Sequence, residues 1–163
     1  MSDASAHTSE GGYGIYVTTS TAGVASLGSD SIPDLRRRWL DHHEHVRRSS
    51  LQTIRRYQAA TEHLLNFLRD VRPLRRASDL RACHAEEFVR YLRSVKVAPN
   101  GHAHARKRPL RDAGIKYILE TCSTLFNYAQ RHRHLSPYAE NPFRTIEVGG
   151  MPVVMSGSPR RSI

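Results

Sequence analysis

SSLQTIRRYQAATEHLLNFLRD, residues 49–70, is the stretch that decides the fold. Ile54, Tyr57, Ala60, Thr61, Leu64, Leu65 and Leu68 follow one another at steps of three and four, with Phe67 beside them. That spacing marks a helix with one buried face. Ser49 or Ser50 supplies its N-cap, and Pro73 stands just beyond its end. Arg55, Arg56 and Arg69 fall largely off the apolar face.

The same signature recurs on both sides. Upstream, a helix is predicted from near Pro33 to Arg47 and Arg48, capped by Asp30 or Ser31, with Leu35, Trp39, His42, His43 and Val46 at helical spacing. Downstream, a short helix over about 83–95 carries Phe88, Tyr91, Leu92 and Val95, with Asp79 or His84 opening it and Glu86 and Glu87 in its first turn. Pro99, Asn100, Gly101 and Pro109 then punctuate a break over 96–109. A long helix over about 111–134 buries Ile115, Ile118, Leu119, Cys122, Leu125, Phe126 and Ala129, while Lys116, Ser123, Asn127 and Arg131 lie on its other faces. A last helical turn at 136–139 leads into Asn141, Pro142 and Phe143. No strand-rich region lies between 31 and 148, and no repeat is evident. The expectation is an all-α bundle of four to five helices over 31–148. Residues 1–30 read as a disordered tail, although YGIYVT at 13–18 can pair as a short strand, and 149–163 read as a linker or tail.

Charge narrows the function. The net charge of the 163 residues is +10, but residues 1–30 hold Asp3, Glu10, Asp30 and no Lys or Arg. The remainder therefore sets all 25 bases against 12 acids, a net of +13. A basic body favours a polyanionic partner. Lys96, Lys107 and Lys116 are the only lysines. Arginine matches phosphate and guanine edges, but a GC-rich genome produces the same bias. No apolar run approaches the roughly 20 residues of a membrane span, and no secretory signal is recognisable, so a cytoplasmic location is expected. Cys83 and Cys122 stand alone and read as small buried hydrophobes.

Catalytic patterns are missing: there is no P-loop, GxGxxG, GxSxG or HExxH. His42, His43 and His45 lack a partner cluster at metal-ligand spacing and read as a solvated polar face, while His132 and His134 suit a helix C-terminus. Glu86 and Glu87, being adjacent, diverge on a helix. Neither cofactor, metal nor small-molecule substrate is expected. Duplex DNA binding is the positive expectation, from Ser50, Thr53, Arg55 and Arg56 at the start of the second helix and from Arg106, Lys107, Arg108, Arg111 and Lys116 at the start of the fourth, with Asn127 further along. Helix N-termini offer free N–H groups to phosphates, and side chains a turn further in reach base edges. Arg36, Arg37 and Arg38 read as solvated surface.

TIRRY at 53–57 followed by LLNFL at 64–68, HAEEFVRYL at 84–92, LFNYA at 125–129 and NPF at 141–143 occur in an order that resembles the core-binding domain of tyrosine recombinases of the phage-integrase kind, over about 33–146. The resemblance implies a SAM-like four-helix domain that clamps one face of duplex DNA, with its second and fourth helices toward the major groove. It also implies other recombinase subunits as partners, and a separate C-terminal catalytic domain with a Tyr nucleophile and an Arg/Lys/His/Arg/His-type constellation. With Ile163 as last residue, that domain is expected to be missing, leaving a truncated gene product or a stand-alone binder without enzymatic activity. HVRR at 45–48 contains HxxR, but in the first helix, and reads as chance. Where the family has a pattern like LSxxT, this chain has LRDAG at 110–114. Asp112 can still cap there, whereas Gly114 costs about 1 kcal/mol of helix propensity relative to Ala. The rival reading is a helical protein–protein adaptor.

Overall fold

Ser31 starts the first helix. In the computed structural model, which describes residues 30–98, 104–136 and 138–152, its Oγ accepts from the Asp34 N–H at 3.4 Å and Pro33 occupies the first turn. Helix α1 (Ile32–Asp41) buries Ile32, Leu35 and Trp39. The expected helix does not continue regularly to Arg48. The chain widens into a π-type turn over His42–Val46 and leaves through Arg48 at φ 50°. Neighbouring residues point about 100° apart on an α-helix. The wider turn lets the adjacent His42 and His43 both pack inward, His42 on Tyr128 and His43 on Trp39 and Tyr57.

Helix α2 (Leu51–Asp70) is capped by Ser50, whose Oγ accepts from the Thr53 N–H at 3.2 Å. Its buried residues are Ile54, Ala60, Thr61, Leu64, Phe67 and Leu68. Phe67 is central rather than peripheral, and Leu65 is only partly buried. A 3-10 turn (Ala77–Asp79) ties the end of α2 to the start of α1, through Ala77 N–H to Asp30 O at 2.7 Å and Ser78 Oγ to Asp30 Oδ2 at 2.8 Å. Helix α3 (Ala82–Ser94) is opened by Arg81, whose N–H donates to His84 Nδ1 at 3.1 Å. It buries Ala85, Phe88 and Leu92.

The break after α3 is bridged by an antiparallel pair, β1 (Lys96–Val97) with β2 (Arg108–Pro109). Helix α4 (Asp112–Arg131) buries the expected stripe and also Thr121 and Ser123. Asp112 does not cap it. Arg111 is the N-cap and makes no side-chain capping bond. Beyond α4 the chain forms a hairpin, β3 (Glu147–Val148) with β4 (Met151–Pro152). Its turn residues Gly149 and Gly150 have φ 61° and 75°, the left-handed pair that a tight two-residue hairpin turn requires. The described chain thus runs past 148 as structure, with Val148 in the core. Expectations for 1–29, including the strand at 13–18, and for 153–163 lie outside the described residues.

An aromatic spine joins the helices. Phe67 of α2 lies 5.2 Å from Phe88 of α3, centroid to centroid. Phe88 lies 6.3 Å from Phe143, which in turn lies 5.5 Å from Phe126 of α4. All four rings are nearly or fully buried, and each full burial stabilises by roughly 1.5–3 kcal/mol.

Candidate nucleic-acid interface

Three contacts fix which helix ends meet. Trp39, near the end of α1, stacks on Tyr57 in the second turn of α2 at 4.8 Å. His42, just past α1, lies 5.2 Å from Tyr128 and 5.1 Å from His132, at the end of α4. The start of α2 and the end of α4 therefore share one end of the bundle, and the two helices run antiparallel. Each has 20 residues, or about 30 Å of length. The start of α4 lies at the other end, where Asp112 bonds Arg93 of α3 at 3.1 Å.

This topology does not bring the two candidate clusters together. Ser50, Thr53, Arg55 and Arg56 lie at one end, and Arg106, Lys107, Arg108, Arg111 and Lys116 at the other. Ser50 and Thr53 are spoken for locally, through the cap and a 2.9 Å contact between their hydroxyls. Arg55, Arg56, Arg106, Lys107, Arg108 and Arg111 are exposed, and Lys116 is half-buried. None of these seven cations makes an ion pair among the described residues. Other arginines do: Arg36 with Glu62, Arg69 with Asp70, Arg72 with Glu87 and Arg93 with Asp112. The Arg72 guanidinium holds the Glu87 carboxyl below its ordinary range, and Arg69 does the same to Asp70.

Asn127 has a different place. Its Oδ1 accepts from Asn141 Nδ2 at 2.9 Å, and the same nitrogen lies 2.9 Å from both Ser123 O and Ser123 Oγ. Asn141 Oδ1 accepts from the Phe143 N–H at 3.0 Å. This clasp holds the exit segment on α4 and puts Phe143 into the core. Ser123, expected on an outer face, is fully buried for that reason. Helical spacing sees apolar residues and missed it.

Three further readings change. Arg36 is not solvated surface: its Nε donates to Thr61 Oγ1 at 2.8 Å and its Nη2 to Gln58 O at 3.0 Å, which fastens α1 to α2. Of the two cysteines, Cys122 is buried as expected, but Cys83 is exposed on the first turn of α3. His42, His43 and His134 are half-buried among aromatic rings, and burial lowers the basicity of each. The described residues contain no group of three or more side chains suited to a metal ion.

A family model, the phage integrase SAM-like domain, matches residues 38–147, about two thirds of the sequence. The chain belongs to the phage integrase SAM-like domain family. No curated protein and no solved structure matches it at a significant level. The match spans the end of α1, all of α2, α3 and α4, and the Asn141 clasp, and the helical SAM-like domain agrees with what the sequence resemblance implied. Among the described residues no helix is long and apolar enough to cross a membrane. In this SAM-like domain two groups of unpaired cations sit where α2 and α4 begin, beside a helix N-terminus in each case; other arginines elsewhere, among them Arg38, Arg47, Arg76 and Arg131, also make no ion pair among the described residues.

Proposed function

We propose that this SAM-like domain binds duplex DNA, with the N-terminal ends of α2 and α4 as two phosphate-contacting points in the setting of integrase-type recombination. The observation that carries this is the placing of seven cations, none ion-paired among the described residues, at opposite ends of an antiparallel helix pair about 30 Å long. B-DNA advances about 34 Å per turn, so the two points match phosphates nearly one turn apart. Arg55 and Arg56 act at one point, and Arg106, Lys107, Arg108, Arg111 and Lys116 at the other. Ser50 and Thr53 shape the first by capping α2. Asn127 contributes by holding the fold, not by touching DNA.

The domain's part is to hold and position DNA; no bond-making step is assigned to its residues, and intact recombinase subunits are its natural partners. The adaptor reading has no specific observation behind it: the exposed large apolar residues are Val46, Leu51, Val71, Tyr117 and Tyr138, and exposed apolar residues taken singly need no partner.

Fluorescence anisotropy with a labelled duplex across a salt series tests the proposal. Seven phosphate contacts give a slope of about −6 in log K against log salt, a loss of roughly 10³–10⁴ in affinity between 50 and 200 mM. Lack of binding at the low-salt end refutes it.

A further inference from the structure

At the bundle end where α1 and α4 finish, an open cleft of about 410 Å³ is lined by Arg37, Arg38, Asp41, His42, Tyr128 and His134. We propose that this cleft is a phosphate subsite, in which one phosphate group is held by Arg37 and Arg38 together with the imidazoles of His42 and His134. The occupant is identified by its chemistry: a tetrahedral oxyanion able to accept several charge-assisted hydrogen bonds at once.

Arg38 supplies the main argument. It is half-buried, yet it makes no ion pair among the described residues. Its Nη1 instead lies 3.2 Å from His134 Nδ1. A guanidinium only donates. His134 Nδ1 must then be the acceptor, and the ring proton sits on Nε2. A neutral ring nitrogen is a weak partner for a half-buried cation, and a phosphate matches the guanidinium fork far better. Tyr128 holds the surroundings in place. Its hydroxyl donates to Arg38 O at 3.3 Å, and its ring lies 5.2 Å from His42 and 5.8 Å from His134.

Occupancy and protonation are coupled. Burial, Arg38 and His132 lower the basicity of His134; burial, His132 and Arg47 lower that of His42, against Asp41. A doubly protonated His134 has no lone pair for Arg38, and the two cations repel. A phosphate between them reverses this, because both then donate to it. Of the other charges at the cleft, Asp41 faces His45 at 3.5 Å, and Arg37 makes only a long, exposed contact with Asp34 at 3.7 Å, which a phosphate can replace. His43 packs on the far side of His42 against Trp39 and Tyr57 of α2, and His132 stacks on Tyr128. Each proton taken up on binding raises phosphate affinity by up to about tenfold per unit fall in pH.

The cleft shares its end of the bundle with Arg55 and Arg56, so a backbone phosphate of a bound duplex is one source and free phosphate the other. Only the duplex source rests on the proposed DNA binding. The test follows the imidazole Cε1–H signals by NMR near pH 6.5 during titration with inorganic phosphate, against chloride at equal ionic strength. His42 and His134 are expected to shift saturably with phosphate alone, and His84 on α3 to stay still. Arg38→Gln and Arg37→Gln are each expected to weaken that binding by about fivefold or more; Arg37 is 73% exposed, so its substitution does not threaten folding. Equal shifts with chloride, or unchanged phosphate affinity in both variants, overturn the subsite. A duplex that moves the same two signals identifies a backbone phosphate as the occupant. A duplex that binds without moving them, while free phosphate saturates, identifies free phosphate. If no duplex binds but phosphate does, DNA binding falls and the subsite stands.

Discussion

Replacing Arg55 and Arg108 by Ala, singly and together, tests whether both ends of the α2–α4 pair grip one duplex. The structure sets the magnitudes. The two residues lie at opposite ends of helices about 30 Å long. At that separation two unit charges interact by about 0.14 kcal/mol in water, and three Debye lengths of salt screen even that. Their effects on binding are therefore expected to add. One phosphate contact is worth about 0.9 decade of affinity at 0.1 M salt relative to 1 M. Each single variant should lose roughly eightfold at 0.1 M, and the double variant roughly 60-fold. The salt slope should flatten by about one unit per replacement. Both side chains are exposed and free of ion pairs, so stability should change by less than about 0.5 kcal/mol, which thermal melts can check. Anisotropy with a duplex of about 14 base pairs is the assay, since 30 Å spans about nine base pairs. A single variant with wild-type affinity and slope shows that its end does not face DNA. A double variant more than about twofold from the product of the singles shows that the two ends do not act independently.

Removing the exit clasp with Asn141→Ala takes away the donor shared by Ser123 and Asn127 and the acceptor of the Phe143 N–H; about 2 kcal/mol of stability should be lost in denaturant unfolding, because several hydrogen bonds that fasten the exit segment to α4 go with one side chain. Thiol labelling of the native protein should modify exposed Cys83 and spare Cys122 until unfolding, since burial both shields the Cys122 thiol and pushes its pKa far up. The melting temperature should fall as pH drops from about 7.5 to 5. His42, His43, His63 and His134 are all held below the ordinary histidine value, so above about 6.5 both states are neutral and carry no penalty. Below it the unfolded chain takes up protons more readily and gains on the folded one. A flat melting profile over that window would contradict the burial of these rings.

Periodicity exposed most of the fold because most of its burial is helical. The apolar stripes of residues 54–68 and 115–129 coincide with the faces that α2 and α4 bury, and Ser50 and Ser31 cap as their types suggest. What escaped is what periodicity does not encode. Ser123 and Asn127 look like outward polar residues until Asn141, 18 and 14 positions away, is folded back on them. The π-type turn after α1 also has no local signature. Its adjacent histidines, His42 and His43, pack on rings of α4 and α2 that lie far away in the sequence. Arg36 belongs to the same class, since its role depends on Thr61, 25 residues on.

The interface was legible as charge but not as geometry. The bases at 55–56 and at 106–116 can be read directly, yet the sequence leaves open whether they form one patch or two. That question is decided by helix direction, which rests on contacts between distant aromatic residues: Trp39 with Tyr57, and His42 with Tyr128. The same contacts link the two proposals. They place the starting turns of α2 beside the cleft of Arg38 and His134, so that one end of the bundle holds both unpaired arginines and half-buried histidines. A phosphate drawn there by Arg55 and Arg56 meets groups whose charge depends on pH. Grip at the α2 end should therefore strengthen as pH falls from about 8 to 6. Arg55→Ala and Arg108→Ala, compared across that range, separate the two ends: the wild-type gain on acidification should survive in Arg108→Ala, where the α2 end is intact, and shrink in Arg55→Ala.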